Sequence, residues 1–322
     1  MKAAVIYENG GPDVLRYEDV PDPVCPAGCV LIDVEAISIE GGDLLARATS
    51  PPPDVPHIVG YLAAGTVIEV GAGVEDRAVG DSVVALSPNG SHAARRAVPA
   101  MVTWPIPEGL DAARAACVPV AFGTAYECLF TAGELTEGQT VLVHAGAGGV
   151  GMASIQLAKQ AGATVLSTAS SDEKLERLKA FGLDHGINYA TDDFVERTRE
   201  LTDSRGVDVI VDSIGGQNLV DGVAALAYRG TLVSVGVAAR AGSALAIQSL
   251  WAQNNTVRGV YLGGAMLPEY ARIHPMIGGL IDRVASGELR VEIDRSFPLA
   301  EAAAAHAYVE SRKAFGRVVM TP

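Results

Sequence analysis

Cysteine is scarce in this chain, and long apolar runs are missing altogether. Cys25, Cys29, Cys117 and Cys128 are the only four among 322 residues. They are too few and too scattered to form a disulfide framework, so reduced, structural thiols are expected. No segment approaches the roughly 20 apolar residues of a membrane span, and the opening MKAAVIYENGG has no apolar stretch long enough for a signal peptide. The expected location is therefore the cytoplasm, with no membrane partner. Positive charge is also short, with 24 Lys and Arg against 38 Asp and Glu, a net charge of −14. Nucleic-acid binding needs a basic face, and none is offered. There is no internal repeat and no long linker. What is present is a composition 49% hydrophobic, on a length that suits two domains or one large one.

The most informative stretch is TVLVHAGAGGVGMASIQLAKQAGATVLSTASSDEK, residues 140–174. Val141 to His144 is a short branched apolar run of the kind that forms a buried parallel strand. Gly146, Gly148 and Gly151 follow as GxGxxG: the first permits a tight turn, the second lets a pyrophosphate approach the backbone, and the third lets the next helix pack on the sheet. From Val150 to Ala161 the apolar positions Val150, Ile155, Leu157 and Ala158 suit a helix covering a sheet, and Thr164 to Thr168 reads as the second strand. The helix N-terminus, with Gly149 and Val150, would point N–H groups and a partial positive charge at the phosphates. The reading is a dinucleotide site.

Around this unit the pattern changes along the chain. Residues 1 to about 120 are rich in Val, Gly and Pro, with short alternating runs such as Cys29 to Ile37, Gly65 to Val70 and Asp81 to Leu86. That predicts an antiparallel β domain with many turns. From Ala121 helices alternate with the apolar strands Thr140–His144, Thr164–Thr168, Val207–Asp212, Thr231–Val235 and Thr256–Gly259, which predicts a doubly wound parallel sheet. An amphipathic segment from Ile273 to Ser286, a run from Arg290 to Phe297, an alanine-rich helix from Leu299 to Glu310 and a strand from Gly316 to Met320 close the chain. A last strand after the cofactor domain most economically returns to the first sheet. The expected division is 1–120 with 262–322 as one discontinuous domain and 121–261 as the other.

MKAAVIYENGGPDVLRYEDVPDP, VGYLAAGTVIEVGAGVEDRAVGDSVVAL, VLVHAGAGGVG, GINY, DVIVDSIGG and the closing GRVV resemble the medium-chain dehydrogenase/reductase superfamily, within it the zinc-independent quinone oxidoreductases related to zeta-crystallin. The resemblance covers nearly the whole chain. It implies an α/β protein with a GroES-like β-barrel domain, a Rossmann domain, an active site in the cleft between them, and a homodimer that joins strands near residues 245–262. Zinc members would carry an early cysteine and a Gly-His-Glu, because a Lewis-acid zinc needs three protein ligands and an open position. Here the matching segments read AISIEGGDLLAR and Gly60-Tyr61-Leu62, and no CxxCxxC spacing occurs. No metal is expected, with His57 and His92 read as ordinary loop or pocket-wall residues.

For the cofactor the resemblance points to NADPH. The second strand ends Leu166-Ser167-Thr168-Ala169-Ser170-Ser171, small and neutral, where sites that prefer NAD place an acid. Ser170 is a candidate cofactor residue there and the expected cap of the next helix with Glu173, leaving Asp172 in the favourable first turn. Lys174 and Tyr189 match family residues beside the extra phosphate, and Arg312 matches one at the adenosine end. The strand ends at Asp212–Gly215 and Val235–Val237, together with backbone groups of Val260 to Leu262, would flank the cofactor. Thr124 matches a position beside the nicotinamide. Tyr61 stands where zinc relatives have a histidine ligand, as a proton donor or as part of the wall. Glu40, where the family often has asparagine, is carried as a candidate acid or polar-group ligand against the plainer reading of a solvated loop charge; Leu45 replaces a family tyrosine. Without zinc, substrates already activated are expected, namely quinones or α,β-unsaturated carbonyl compounds, reduced by hydride transfer. Two alternatives stay open: a pathway-specific enoyl reductase, and a cofactor-binding structural or regulatory protein with negligible turnover.

Overall fold

The computed structural model describes residues 1–322, and the chain divides into one unit of Met1–Val120 with Glu269–Pro322 and another of Ala121–Pro268. The first unit opens with β1 (Lys2–Ile6), β2 (Arg16–Asp19), β3 (Cys29–Ser38), α1 (Gly41–Thr49), β4 (His57–Ile58), β5 (Leu62–Val70), β6 (Ser82–Leu86), β7 (Arg95–Pro99), β8 (Thr103–Pro105) and α2 (Ala112–Ala116). Strand β3 shows why these residues pair as they do. Its Val30, Ile32 and Val34 are buried while Asp33 and Glu35 face water, the period of two that a one-sided sheet requires. It pairs antiparallel with β5 and with β7, and β5 continues through β6 to β8. The buried face packs with Val67, Val83, Ala85 and Val98.

The second unit begins with α3 (Pro119–Tyr126), which widens into a π turn over Glu127–Ala132. It continues as β9 (Thr140–Val143), α4 (Gly149–Gln160), β10 (Thr164–Ala169), α5 (Asp172–Leu178), β11 (His185–Asn188), α6 (Phe194–Leu201), β12 (Val207–Asp212), α7 (Gln217–Ala225), β13 (Leu226–Ser234), β14 (Thr256–Gly259) and α8 (Leu262–Ala265). All six strands run parallel in the order β11-β10-β9-β12-β13-β14. Counted from β9 this is 3-2-1-4-5-6, the doubly wound order whose switch point lies between the first and fourth strands. Val141, Leu142, Val143, Val209, Ile210 and Val211 are all buried, as strands covered by helices on both faces must be.

Sequence pattern and structure differ at three points. Strand β11 was not anticipated, because HGIN is four residues long and too mixed to show a period. The division falls at 268/269 and not at 261/262: Leu262 and Met266 are buried in the turn that α8 begins, so these residues stay with the second unit. The cap of α5 is Ser171, whose hydroxyl accepts the Lys174 N–H at 3.3 Å, and not Ser170. One residue of register puts Lys174 and not Glu173 at the third helical position, so no reciprocal capping box forms.

The chain then returns to the first unit through α9 (Tyr270–Ala285), β15 (Ile293–Pro298), α10 (Ala302–Glu310) and β16 (Arg317–Thr321). Ile273, Ile277, Leu280, Ile281 and Val284 form the buried stripe of α9 at helical spacing. Strand β16 runs parallel to β15 and antiparallel to β3, with Val319 opposite Ser38, so the last strand completes the first sheet.

Helix α10 is also tied down by a buried histidine pair. His92 and His306 are both 0% exposed, with their Nε2 atoms 2.8 Å apart, and His92 Nδ1 lies 3.1 Å from Ser91 Oγ. His306 Nδ1 has no partner. The least costly tautomers let His306 Nε2–H donate to His92 Nε2, which leaves a bare lone pair and not an N–H unmatched. Burial disfavours charge on both rings, holding His92 well below its ordinary range and His306 at about 3. The unfolded chain therefore binds more protons than the folded one below pH 6.5, and stability falls as pH drops through that window. Each histidine contributes roughly 1.4 kcal/mol per pH unit there. Urea denaturation of the wild type and His306→Leu at pH 7.5 and 5.5 checks this. The variant's change between the two pH values is expected to be less acid-destabilising by about 1.4 kcal/mol, and equal changes would refute the pair's role.

Candidate active site

Backbone geometry at the end of β9 is dictated by three glycines with different tasks. After His144 the chain turns through Ala145 at φ +54°, and Gly146 donates its N–H to the Thr168 carbonyl at 2.9 Å. A methyl on Gly146 would come within 2.1 Å of Ser167 Oγ, and one on Gly151 within 2.3 Å of the Ala145 carbonyl. The fold itself demands glycine at both. Gly148 is different. Its backbone, φ −88° and ψ 173°, suits any residue, and an added Cβ would meet only the Ala145 carbonyl at 3.3 Å. The open side of Gly148 lies at the start of α4, where no side chain caps the helix. The N–H groups of Gly149, Val150 and Gly151 precede the first intrahelical bonds and carry the positive end of the helix dipole. Such a turn offers backbone N–H groups of the kind that can receive an anion.

The carboxyl edge of the parallel sheet gathers most of the expected cofactor residues. Tyr189 donates its N–H to the Ala169 carbonyl at 3.1 Å, placing the half-exposed Tyr189 ring just beyond the pair of strand ends that includes Ser170. Asp172 accepts from Asn188 Nδ2 at 3.0 Å, so this acid ties α5 to β11. Lys174 is half-buried in the first turn of α5. At the same edge Val235 donates its N–H to the Asp212 carbonyl at 2.9 Å, and Asp212 accepts the N–H groups of Ile214 and Gly215. Leu262 is buried at the start of α8, its carbonyl accepting the Met266 N–H at 3.0 Å. Thr124 is buried in α3 of the same unit. Tyr61, Glu40 and Arg312 belong to the first unit, Arg312 on its surface just after α10 with φ +58°.

Glu40 is not a solvated loop charge. It is 3% exposed, accepts from Ser38 Oγ at 3.0 Å, and receives the Arg317 guanidinium, which also donates to the Ser38 hydroxyl and, at 3.0 Å, to the Ile39 carbonyl. Asp43, fully buried, accepts the Glu40 N–H at 2.8 Å through one oxygen and the Tyr61 N–H at 3.1 Å through the other. Burial and the neighbouring Glu40 push its carboxyl up to about 8. On the far side of Tyr61, the buried Arg96 donates to the Tyr61 carbonyl at 2.8 Å, to that of Ser87 at 2.8 Å, and to that of Asn89. Burial lowers this guanidinium to about 9. Sequence reasoning missed Arg96 and Arg317; the only signal was an arginine standing inside each of two apolar strand patterns. His57 faces Asp54 at 2.6 Å, and no group of three His, Cys, Asp or Glu side chains is arranged to hold a metal ion.

Known proteins share this fold over the whole length of the chain. Residues 26–113 match the alcohol dehydrogenase GroES-like domain and residues 149–277 the zinc-binding dehydrogenase domain. A 2-haloacrylate reductase from Burkholderia sp is 36% identical over 99% of this chain and 98% of its own. The chain belongs to the medium-chain dehydrogenase/reductase superfamily. Among solved structures, the Escherichia coli quinone oxidoreductase complexed with NADPH superposes with a TM-score of 0.93 at 29% identity, over all of both chains. A mycobacterial protein complexed with NADPH does so with a TM-score of 0.93 at 34% identity, again over both whole chains. The chain therefore lies in the quinone-oxidoreductase-like branch, with the first unit as the GroES-like domain and the second as the Rossmann domain.

Proposed function

We propose that this oxidoreductase uses NADPH to reduce quinones or alkenes conjugated to a carbonyl group. The observation that carries the reading is the open face of Gly148 before the uncapped first turn of α4, beside a second strand that ends without an acid. A carboxylate there would repel a phosphate on the ribose; Ser170 and Ser171 do not. Lys174 is the proposed partner of that phosphate, with Tyr189 alongside and Arg312 toward the adenosine, while Val235 and Leu262 offer backbone. NADPH, when bound, supplies the hydride. The chain's task is then to bind and orient, to exclude water, and to bring a proton to the reduced product. Thr124 is the proposed neighbour of the nicotinamide and Tyr61 the proposed proton donor. Glu40, spent on Arg317 and Ser38, acts in this reading through Asp43 and not on the substrate. The 36% identical relative is by name a reductase of 2-haloacrylate, an activated alkene, which favours conjugated alkenes within the proposed class.

The exposed Ile247 and Trp251, together with Tyr261 and Leu267, flank edge strand β14. They support a homodimer formed with a second copy through that edge, and sedimentation as a monomer at micromolar concentration would reject it.

Turnover of NADPH with a panel of quinones and conjugated alkenes, followed by cofactor absorbance, tests the function. Oxidation across several members is expected. One substrate alone would favour a dedicated enoyl reductase, and binding without oxidation a non-enzymatic role. In the same assay Lys174→Ala should raise KM for NADPH by about tenfold or more, the equivalent of one charge-assisted hydrogen bond, while leaving NADH nearly unchanged. Equal losses with both cofactors would remove Lys174 from this role.

A further inference from the structure

Glycine early in α1 has no backbone reason to be there. Gly41 and Gly42 both have ordinary φ angles, and glycine weakens a helix relative to alanine. A methyl on Gly41 would meet nothing within 4 Å. One on Gly42 would lie 2.5 Å from Tyr61 Oη, 2.5 Å from its Cε2 and 2.8 Å from its Cζ. The Tyr61 ring therefore rests on the bare backbone of Gly42.

The backbone of Tyr61 cannot move to relieve such a clash. Its N–H is held by Asp43 at 3.1 Å, and its carbonyl by Arg96 at 2.8 Å and the Ser87 N–H at 3.1 Å. Asp43 is fixed in turn by the Glu40 N–H, and Glu40 by Arg317 and Ser38. Gly60, one residue earlier, has φ +102°, and a Cβ there would strike Ser91 Oγ and His92 Nδ1 at 2.1 Å. With the main chain clamped on both sides, the ring is the part expected to shift.

We propose that Gly42 is a positioning residue for Tyr61, its missing side chain and the Asp43–Arg96 clamp together setting where the phenol lies. The catalytic consequence rests on the reading of Tyr61 as proton donor; the geometric one does not. A displacement of the phenol by an ångström or so is enough to cost one to two orders of magnitude in rate, roughly tenfold to a hundredfold.

Gly42→Ala, Gly41→Ala, Tyr61→Phe and the Gly42→Ala/Tyr61→Phe double variant separate these points, with melting temperature confirming that each is folded. Gly42→Ala is expected to lower kcat at least tenfold with KM for NADPH unchanged. Gly41→Ala should match wild type, and the double variant should be no slower than the worse single one. A crystal structure of Gly42→Ala should show the Tyr61 ring displaced on an unmoved backbone. An unmoved ring, or losses that multiply in the double variant, would overturn the proposal. Should Tyr61→Phe turn over like wild type, the proton-donor reading fails by itself, and the ring position in Gly42→Ala still decides the positioning claim.

Discussion

Helix α4 starts with N–H groups that no side chain of the protein meets, and the features around it follow from keeping them so. Ala145 adopts a left-handed backbone, Gly146 and Gly151 let strand, turn and helix pack without side chains between them, and Gly148 keeps its outer face bare. With glycine at its N-cap, the helix start gives up roughly a few tenths of a kcal/mol relative to a serine or aspartate cap. A bound anion recovers it, with the aligned peptide dipoles adding to the attraction. The parallel order of the sheet then places the ends of β10, β11, β12 and β13 on the same edge, so the residues that would flank the rest of a dinucleotide arrive there by topology.

The first unit solves another problem, that of holding a loop rigid with buried ionisable groups. Glu40, Asp43, Arg96 and Arg317 are all nearly or wholly buried, which is costly unless each is paired or hydrogen-bonded. They are, apart from the Nε of each arginine: Arg317 meets Glu40, Asp43 receives two backbone N–H groups, and Arg96 serves four carbonyls. Breaking such a set by deleting one member leaves an uncompensated charge and costs several times what a surface ion pair does. The return is a fixed backbone at Tyr61, the kind of supporting shell that a reacting group needs.

How much of this was legible in the sequence depends on how local each signal is. The glycine bend, the strands beside it and the closing strand are written in contiguous residues, so period and spacing were enough to read them. The Glu40–Arg317 pair spans 277 positions. Nothing near Glu40 in sequence announces a partner, and IEGGD by itself reads as a polar loop. Ser170 and Ser171 are equivalent candidates for a cap, and only the backbone decides between them. Strand β11 is too short to display a period, and the π turn at Glu127–Ala132 has no compositional mark. Resemblance to the family supplied the positions of Tyr61, Lys174 and Thr124, while the packing of Tyr61 on Gly42 became visible only with side chains in place.

Gly148 is bare for the sake of the cofactor and not of the fold. Calorimetric titration of NADPH into Gly148→Val, set beside urea denaturation of the same variant, tests it most directly. A stability within about 1 kcal/mol of wild type is expected, since the extended backbone there accepts any residue, together with loss of the binding heat. A variant that binds NADPH as wild type does, or one that cannot fold, would contradict it.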